Sequence, residues 1–142
     1  MNGQNVFLKI RTVQNIPGDE PQTMELHTTG TLTRLEDCTE ISYEETQMTG
    51  LAGVQTTFLI YGKDRVVLRR SGAELKSNMD FRLGKRDDSL YDVGFGALMI
   101  SVTATRMEIE PEQGFFEFEY DVEVERTVMG TNLCRVEFRE NK

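Results

Sequence analysis

The stretch Phe115-Phe116-Glu117-Phe118-Glu119-Tyr120-Asp121-Val122-Glu123-Val124-Glu125 decides the fold class. Phe116, Phe118, Tyr120, Val122 and Val124 fall on one phase, and the acidic residues from Glu117 to Glu125 fall on the other. Successive side chains of an extended chain point to opposite faces, so the stretch encodes a β-strand with one dry face and one charged, solvated face. Weaker versions of the same alternation occupy 5–13, 22–35, 39–47, 54–62, 65–71, 74–83, 97–110 and 132–139, with 114–127 around the quoted stretch. No segment carries a competing helical period.

The punctuation between these runs is turn chemistry: Pro17-Gly18-Asp19, Glu36-Asp37, Gly50 to Gly53, Gly62-Lys63-Asp64, Ser71-Gly72, Asp87-Asp88-Ser89 and Pro111-Glu112-Gln113-Gly114. About nine consecutive strands on short turns make an up-and-down meander, whose two edges disappear only if the sheet closes on itself. The expected fold is all-β: a single closed or nearly closed antiparallel up-and-down barrel of about eight to ten strands, with residues 1–142 forming one domain. A chain of 142 residues is long enough to bury one substantial core.

Two local features follow from the pattern. With a three-residue loop at Met129-Gly130-Thr131, Val124 would face Val136 and Val122 would face Phe138 inside, while Glu125 would meet Arg135 and Asp121 would meet Arg139 outside. That register turns Cys134 inward. In 97–110 the apolar phase Leu98, Ile100, Val102, Ala104 resumes one residue out of step at Met107 and Ile109, which marks a β-bulge near Thr105-Arg106.

Composition restricts function. The 16 basic and 24 acidic side chains give a formal charge of −8, unfavourable for phosphate backbones and anionic lipid, so neither nucleic acid nor a membrane is an expected partner. The apolar patch Val6, Phe7, Leu8, Ile10 is interrupted by Lys9 and Arg11, which fits neither a signal h-region nor a membrane span; a cytoplasmic protein is expected. Cys38 and Cys134 are too few for a disulfide scaffold and are expected as free thiols.

No catalytic or metal-binding motif stands out. Carboxylates two apart on a strand are separated by roughly 6.5 Å, so the acidic ladder is a solvated face rather than a cation site. His27, the single histidine, opposes the phase of Met24 and Leu26 and points outward. Gly94-Phe95-Gly96 lacks both the third glycine and the helix of a phosphate loop. No cofactor is expected.

The informative residues are polar groups on the inward phase. Glu45 shares a side with Ile41 and Tyr43; Arg70 shares one with Val66 and Leu68. Burying either charge alone is costly, so the two either pair with each other, or stand at the barrel mouth where they still reach water, or form a site. As a site, Arg70 with Tyr43 or Tyr120 would receive the anionic end of a small ligand in a largely apolar pocket.

The series Thr28-Thr29-Gly30, Ile41-Ser42-Tyr43-Glu44-Glu45, Arg70-Ser71-Gly72, Met79 to Phe81 with Leu83-Gly84, Tyr91, Phe95-Gly96 before the Leu98 to Ile109 run, and Glu119-Tyr120-Asp121-Val122 resembles the YwiB-like family of small bacterial proteins. The resemblance covers nearly the whole chain and implies a calycin-type barrel, similar in shape to lipocalins and fatty-acid-binding proteins, with no established biochemical activity or catalytic residues to carry over. Fatty-acid-binding proteins often place an Arg and a Tyr two apart on the last strand; here Arg135 is followed by Val136 and Glu137 and points outward, which argues against a conventional lipid site.

The expected function is non-enzymatic binding of a small, partly apolar molecule, anionic if Arg70 receives it, with Tyr43, Glu45, Arg70 and Tyr120 as ligand-binding residues and no catalytic residue. The alternative is a filled barrel that acts as an interaction module or homodimer through outward apolar residues such as Leu59, Tyr61 and Val67. An enzyme using Glu45 as acid or base and Arg70 as electrostatic stabiliser is the third reading. Phe58, Phe81, Phe116, Phe118, Phe138 and Met79 all fall inward, so the space left inside decides among these.

Overall fold

The computed structural model describes residues 3–45, 52–72, 76–92 and 96–141. Ten strands follow one another: β1 Gln4–Asn15, β2 Gln22–Arg34, β3 Thr39–Glu44, β4 Gln55–Tyr61, β5 Arg65–Ser71, β6 Lys76–Arg82, β7 Arg86–Asp92, β8 Ala97–Glu110, β9 Phe115–Val124 and β10 Thr127–Glu140. Each pairs antiparallel with its sequence neighbour, and β1 pairs with β10 from Val6 opposite Glu140 to Asn15 opposite Thr131. The result is a closed up-and-down barrel with no helix among the described residues. Closure gives the first and last strands a partner, as the meander required. Residues 46–47 and 74–75 of the expected strands, part of the Gly50 to Gly53 turn, and Gly94-Phe95 lie outside the described residues.

Registry arranges the interior in layers. Ile60, Val66 and Phe81 face one another across β4, β5 and β6; the next row is Ile41, Phe58, Leu68 and Met79; the row above is Tyr43, Thr56, Arg70 and Ser77. The barrel is thus apolar at one end and polar at the other. On the opposite wall, Ile10, Val136, Phe116 and Ile109 form an apolar row, and Thr12, Cys134, Phe118 and Met107 the row above it. Phe58 meets Phe116 edge-on at 5.3 Å, and Phe81 lies 4.7 Å from Phe118 and 4.6 Å from Tyr120 between ring centroids. These aromatic contacts pack the middle of the barrel, up to the wall of its interior cavity, and hold Phe81, Phe116 and Phe118 entirely out of water.

The bulge near Thr105-Arg106 is present: the β8–β9 register shifts between Ala104 and Arg106, so Met107 and Ile109 return to the inner face. The expected β9–β10 register is wrong. Val136 faces Phe116, Cys134 faces Phe118 and Arg135 faces Glu117, because the turn is Glu125-Arg126, both at positive φ (50° and 69°). Partners are displaced by an even number of residues, so the inside and outside assignments survive, with Cys134 buried. The outer ion pairs change accordingly: Arg135 contacts Glu117 and Glu137 at 3.2 Å each, and Arg139 lies over the Phe7 ring instead of meeting Asp121. Gly130 sits at a bulge within β10, where the register shifts between Val128 and Gly130.

Asp87-Asp88-Ser89 also departs from expectation, lying inside β7 rather than at a turn. Its side chains do the joining. The Ser101 hydroxyl donates to Asp88 at 2.5 Å across the β7–β8 ladder, and the Asp80 backbone N–H of β6 donates to the Asp87 carboxylate at 3.0 Å. Leu59 and Val67, expected on an exposed outer patch, are 8% and 5% exposed. Arg65 lies over the Tyr61 ring and pairs with Asp80, the residue opposite Val67, which lays charged side chains across this region instead of leaving it bare.

Candidate functional site

At the polar end the barrel encloses a cavity of about 150 Å³. Tyr43, Glu45, Arg70 and Tyr120, singled out from the sequence, all line it, together with an apolar wall that includes Leu26, Phe58, Leu68 and Met79. β3, β4 and β5 supply the polar side of this chamber. Tyr43 is opposite Thr56 and Thr56 is opposite Arg70, so three adjacent strands present polar side chains at one height. Glu45 follows just beyond β3, its N–H bonded to the Val54 carbonyl at 2.8 Å, and this fixes the direction of its side chain.

Glu45 is the decisive group. Its side chain is 2% exposed, and Oε2 accepts the Thr56 hydroxyl at 2.5 Å. Arg70 Nε stands 4.0 Å from the same oxygen, an electrostatic pair without an aligned hydrogen bond. Glu45 Oε1, Arg70 Nε and the Ser77 hydroxyl are buried without hydrogen-bond partners. Buried polar atoms are nearly always satisfied, because losing water without gaining a partner costs roughly 1–3 kcal/mol each. Two of these atoms belong to residues that line the cavity, Glu45 and Arg70, whereas Ser77 lines a separate surface pocket with Arg69, Arg70 and Leu90.

The surroundings fix the protonation of the neighbours. Burial, reinforced by the Glu45 charge, pushes the Tyr43 phenol above its ordinary range, and burial raises Tyr120, which accepts from the Asn132 amide at 3.4 Å. The Cys134 thiol is pushed up to about 12 by burial. Both phenols and the thiol are neutral at pH 7, leaving Glu45 and Arg70 as the charged pair at the cavity wall.

Thr56 and Ser77 were not singled out from the sequence, although both stand on the inward phase of strands whose other inward residues are apolar, the signal that drew attention to Glu45 and Arg70. Their small hydroxyls are common on strands, which hid them. Outside the chamber, β2 and β3 pair only from Thr31–Arg34 to Thr39–Ser42, and beyond that the strands part around an open cleft of about 650 Å³. Tyr43 and Glu45 line this cleft as well as the inner cavity, so they form the partition between the two. His27 is exposed and hydrogen-bonded to Glu25 at 2.9 Å, away from the chamber. Among the described residues no group of His, Cys, Asp and Glu has the arrangement to hold a metal ion.

These features define a closed ten-stranded antiparallel barrel, apolar at one end and chambered at the other. Residues 8–136 match the family described as a domain of unknown function, DUF1934, and the chain belongs to that family. Among solved structures it is similar to the ywiB protein from Bacillus subtilis, with a TM-score of 0.78 and 18% identity over 99% of this chain and 94% of that one. The likeness is one of fold, and it bears out the resemblance seen in the sequence. No curated protein matches the chain.

Proposed function

We infer that the protein binds a small, partly apolar molecule in the chamber at the polar end of its barrel, without transforming it. The observation that carries this reading is the about 150 Å³ cavity lined by Glu45 and Arg70, each of which holds a buried polar atom without a partner, beside an apolar wall. Drug-sized ligands occupy about 300–1,000 Å³. The chamber suits something smaller, a compound of roughly six to eight non-hydrogen atoms, since the volume equals about five waters. The polar end of such a molecule would meet Arg70 and Glu45, and its alkyl part would lie against Leu26, Phe58 and Leu68. In shape this is a lipocalin-like arrangement with a chamber too short for a long acyl chain.

Native mass spectrometry of gently purified protein, set against the denatured mass, tests the reading and reports subunit number in the same spectrum. A reproducible small added mass that is lost on denaturation is the expected result. A bare polypeptide mass, together with no change in amide resonances on titration with small amides, acids and amines, overturns it.

A further inference from the structure

The geometry points to a neutral head group carrying a hydrogen-bond donor beside an acceptor, as in a primary amide or lactam, rather than to the carboxylate that Arg70 alone would invite. This inference rests on the ligand-binding reading above and narrows it to a chemical class. Glu45 and Arg70 face the chamber together, 4.0 Å apart at their nearest charged atoms, so the charge of the pair is already balanced. A carboxylate bound at the guanidinium would lie beside the buried Glu45 carboxylate, and an ammonium bound at Glu45 would lie beside the guanidinium. Either ion meets a like charge in a poorly screened place. A neutral head avoids both penalties.

The unpartnered atoms have complementary senses. Glu45 Oε2 is occupied by the Thr56 hydroxyl, and Oε1, with the Tyr43 phenol close to the carboxylate, has no aligned partner and is the acceptor open to a ligand. Arg70 Nε carries a free N–H donor. An amide offers an N–H to the carboxylate oxygen and a carbonyl oxygen to the guanidinium N–H, the two functions set side by side on one rigid plane. The resulting hydrogen bonds each have one ionised partner, the stronger kind. Behind the head, the apolar lining from Leu26, Phe58, Leu68 and Met79 takes a short branched or cyclic alkyl group. Tyr43 and Cys134, kept neutral by burial, add no charge that would favour an ionic ligand.

Titration of ¹⁵N-labelled protein at pH 7 with isobutyramide, δ-valerolactam, isobutyrate and isobutylamine, followed by amide chemical shifts, tests the head group. The amide and lactam are expected to give saturable shifts at residues lining the chamber, with dissociation constants at least tenfold below those of isobutyrate and isobutylamine. Glu45→Gln keeps the shape of the side chain and its acceptor for Thr56 while leaving Arg70 as a lone cation; it should reverse the preference, so that isobutyrate binds the variant at least as well as isobutyramide does. Isobutyrate binding the parent as tightly as isobutyramide overturns the neutral-head inference and leaves the ligand-binding reading standing. An unchanged preference in Glu45→Gln overturns the part assigned to Glu45. No binding by any of the four probes, with no small molecule on the purified protein, overturns both.

Discussion

Replacing Arg70 with methionine isolates the electrostatics of the chamber. The nearest charged atoms of Arg70 and Glu45 are 4.0 Å apart, with the Glu45 side chain 2% and the Arg70 side chain 26% exposed. At an effective dielectric constant of about 20, two unit charges at that distance attract by about 4 kcal/mol before desolvation. Removing one member of a buried pair costs about 3–5 kcal/mol because the other is left uncompensated. Arg70 reaches water, which screens the pair, so the expected loss for Arg70→Met is about 2–4 kcal/mol. Glu45→Gln keeps an acceptor for the Thr56 hydroxyl and leaves only the partly exposed guanidinium to be solvated, for about 1 kcal/mol. In the double variant no stranded carboxylate remains, so its stability should return to within about 1 kcal/mol of the parent, a coupling of at least about 2 kcal/mol. Urea unfolding of the four proteins at pH 7 measures this cycle. Single-variant effects that add to within about 0.5 kcal/mol would show that Glu45 and Arg70 do not form one electrostatic unit.

Three further outcomes follow from the barrel. Gly130→Ala is expected to cost more than 2 kcal/mol in thermal or urea unfolding, because its φ is +134° and a Cβ there would lie 2.1 Å from the Asn15 carbonyl oxygen; Gly18→Ala, at φ +89° with open space around it, should cost only about 1 kcal/mol. Arg126→Gly should stabilise the protein by up to about 1 kcal/mol, since residue 126 has φ +69° in a two-residue hairpin turn, and a lower urea midpoint for this variant would refute the turn assignment. Burial pushes Cys134 up from 9.0 to about 12, so the folded state holds a proton that the unfolded state gives up; this stabilisation is complete below pH 9 and fades as pH rises toward 12, a loss of roughly 2–3 kcal/mol at pH 11. A urea midpoint unchanged between pH 8 and pH 11 would refute it, as would maleimide labelling of Cys134 in the folded protein ahead of the half-exposed Cys38.

What was legible in the sequence was whatever a period of two can carry. The inner and outer faces of β9 and β10, the bulge before Met107 and the inward position of Cys134 all follow from alternation. Register does not, because an even displacement preserves every face. Gly130 looked like the turn residue, yet the chain turns at Glu125 and Arg126, types that rarely take positive φ. β8 holds that turn in place: Glu125 N–H donates to the Met99 carbonyl at 2.8 Å, and Met99 N–H donates to the Glu125 carboxylate at 2.9 Å. A contact with a strand some twenty-six residues earlier has no local signature. β7 was hidden for a related reason: Asp87, Ser89 and Tyr91 share the face of Val102, so its inward phase is mostly polar and no alternation announces it. The chamber was half legible. Charges on an inward phase stand out, whereas Thr56 and Ser77 pass as ordinary strand residues, and only the register shows that they complete the row of Tyr43 and Arg70.

That row also shows how the barrel can tolerate its own defects. Replacing the polar row of Tyr43, Thr56, Arg70 and Ser77, together with Glu45, by apolar side chains of similar volume would remove three buried unsatisfied atoms and a loose ion pair, exchanges that are often neutral or stabilising. The next rows down have that apolar character and hold the most deeply buried aromatics. β1, β8, β9 and β10 are fixed along their length by backbone pairing, and the packed apolar rows hold the remaining strands against them, so one end can remain imperfectly satisfied without loss of register. Unsatisfied groups gathered at one height, held by strands whose positions are set elsewhere, are what a preorganised binding site requires: the cost of holding polar atoms ready is met in folding, and a ligand that completes them recovers it on binding.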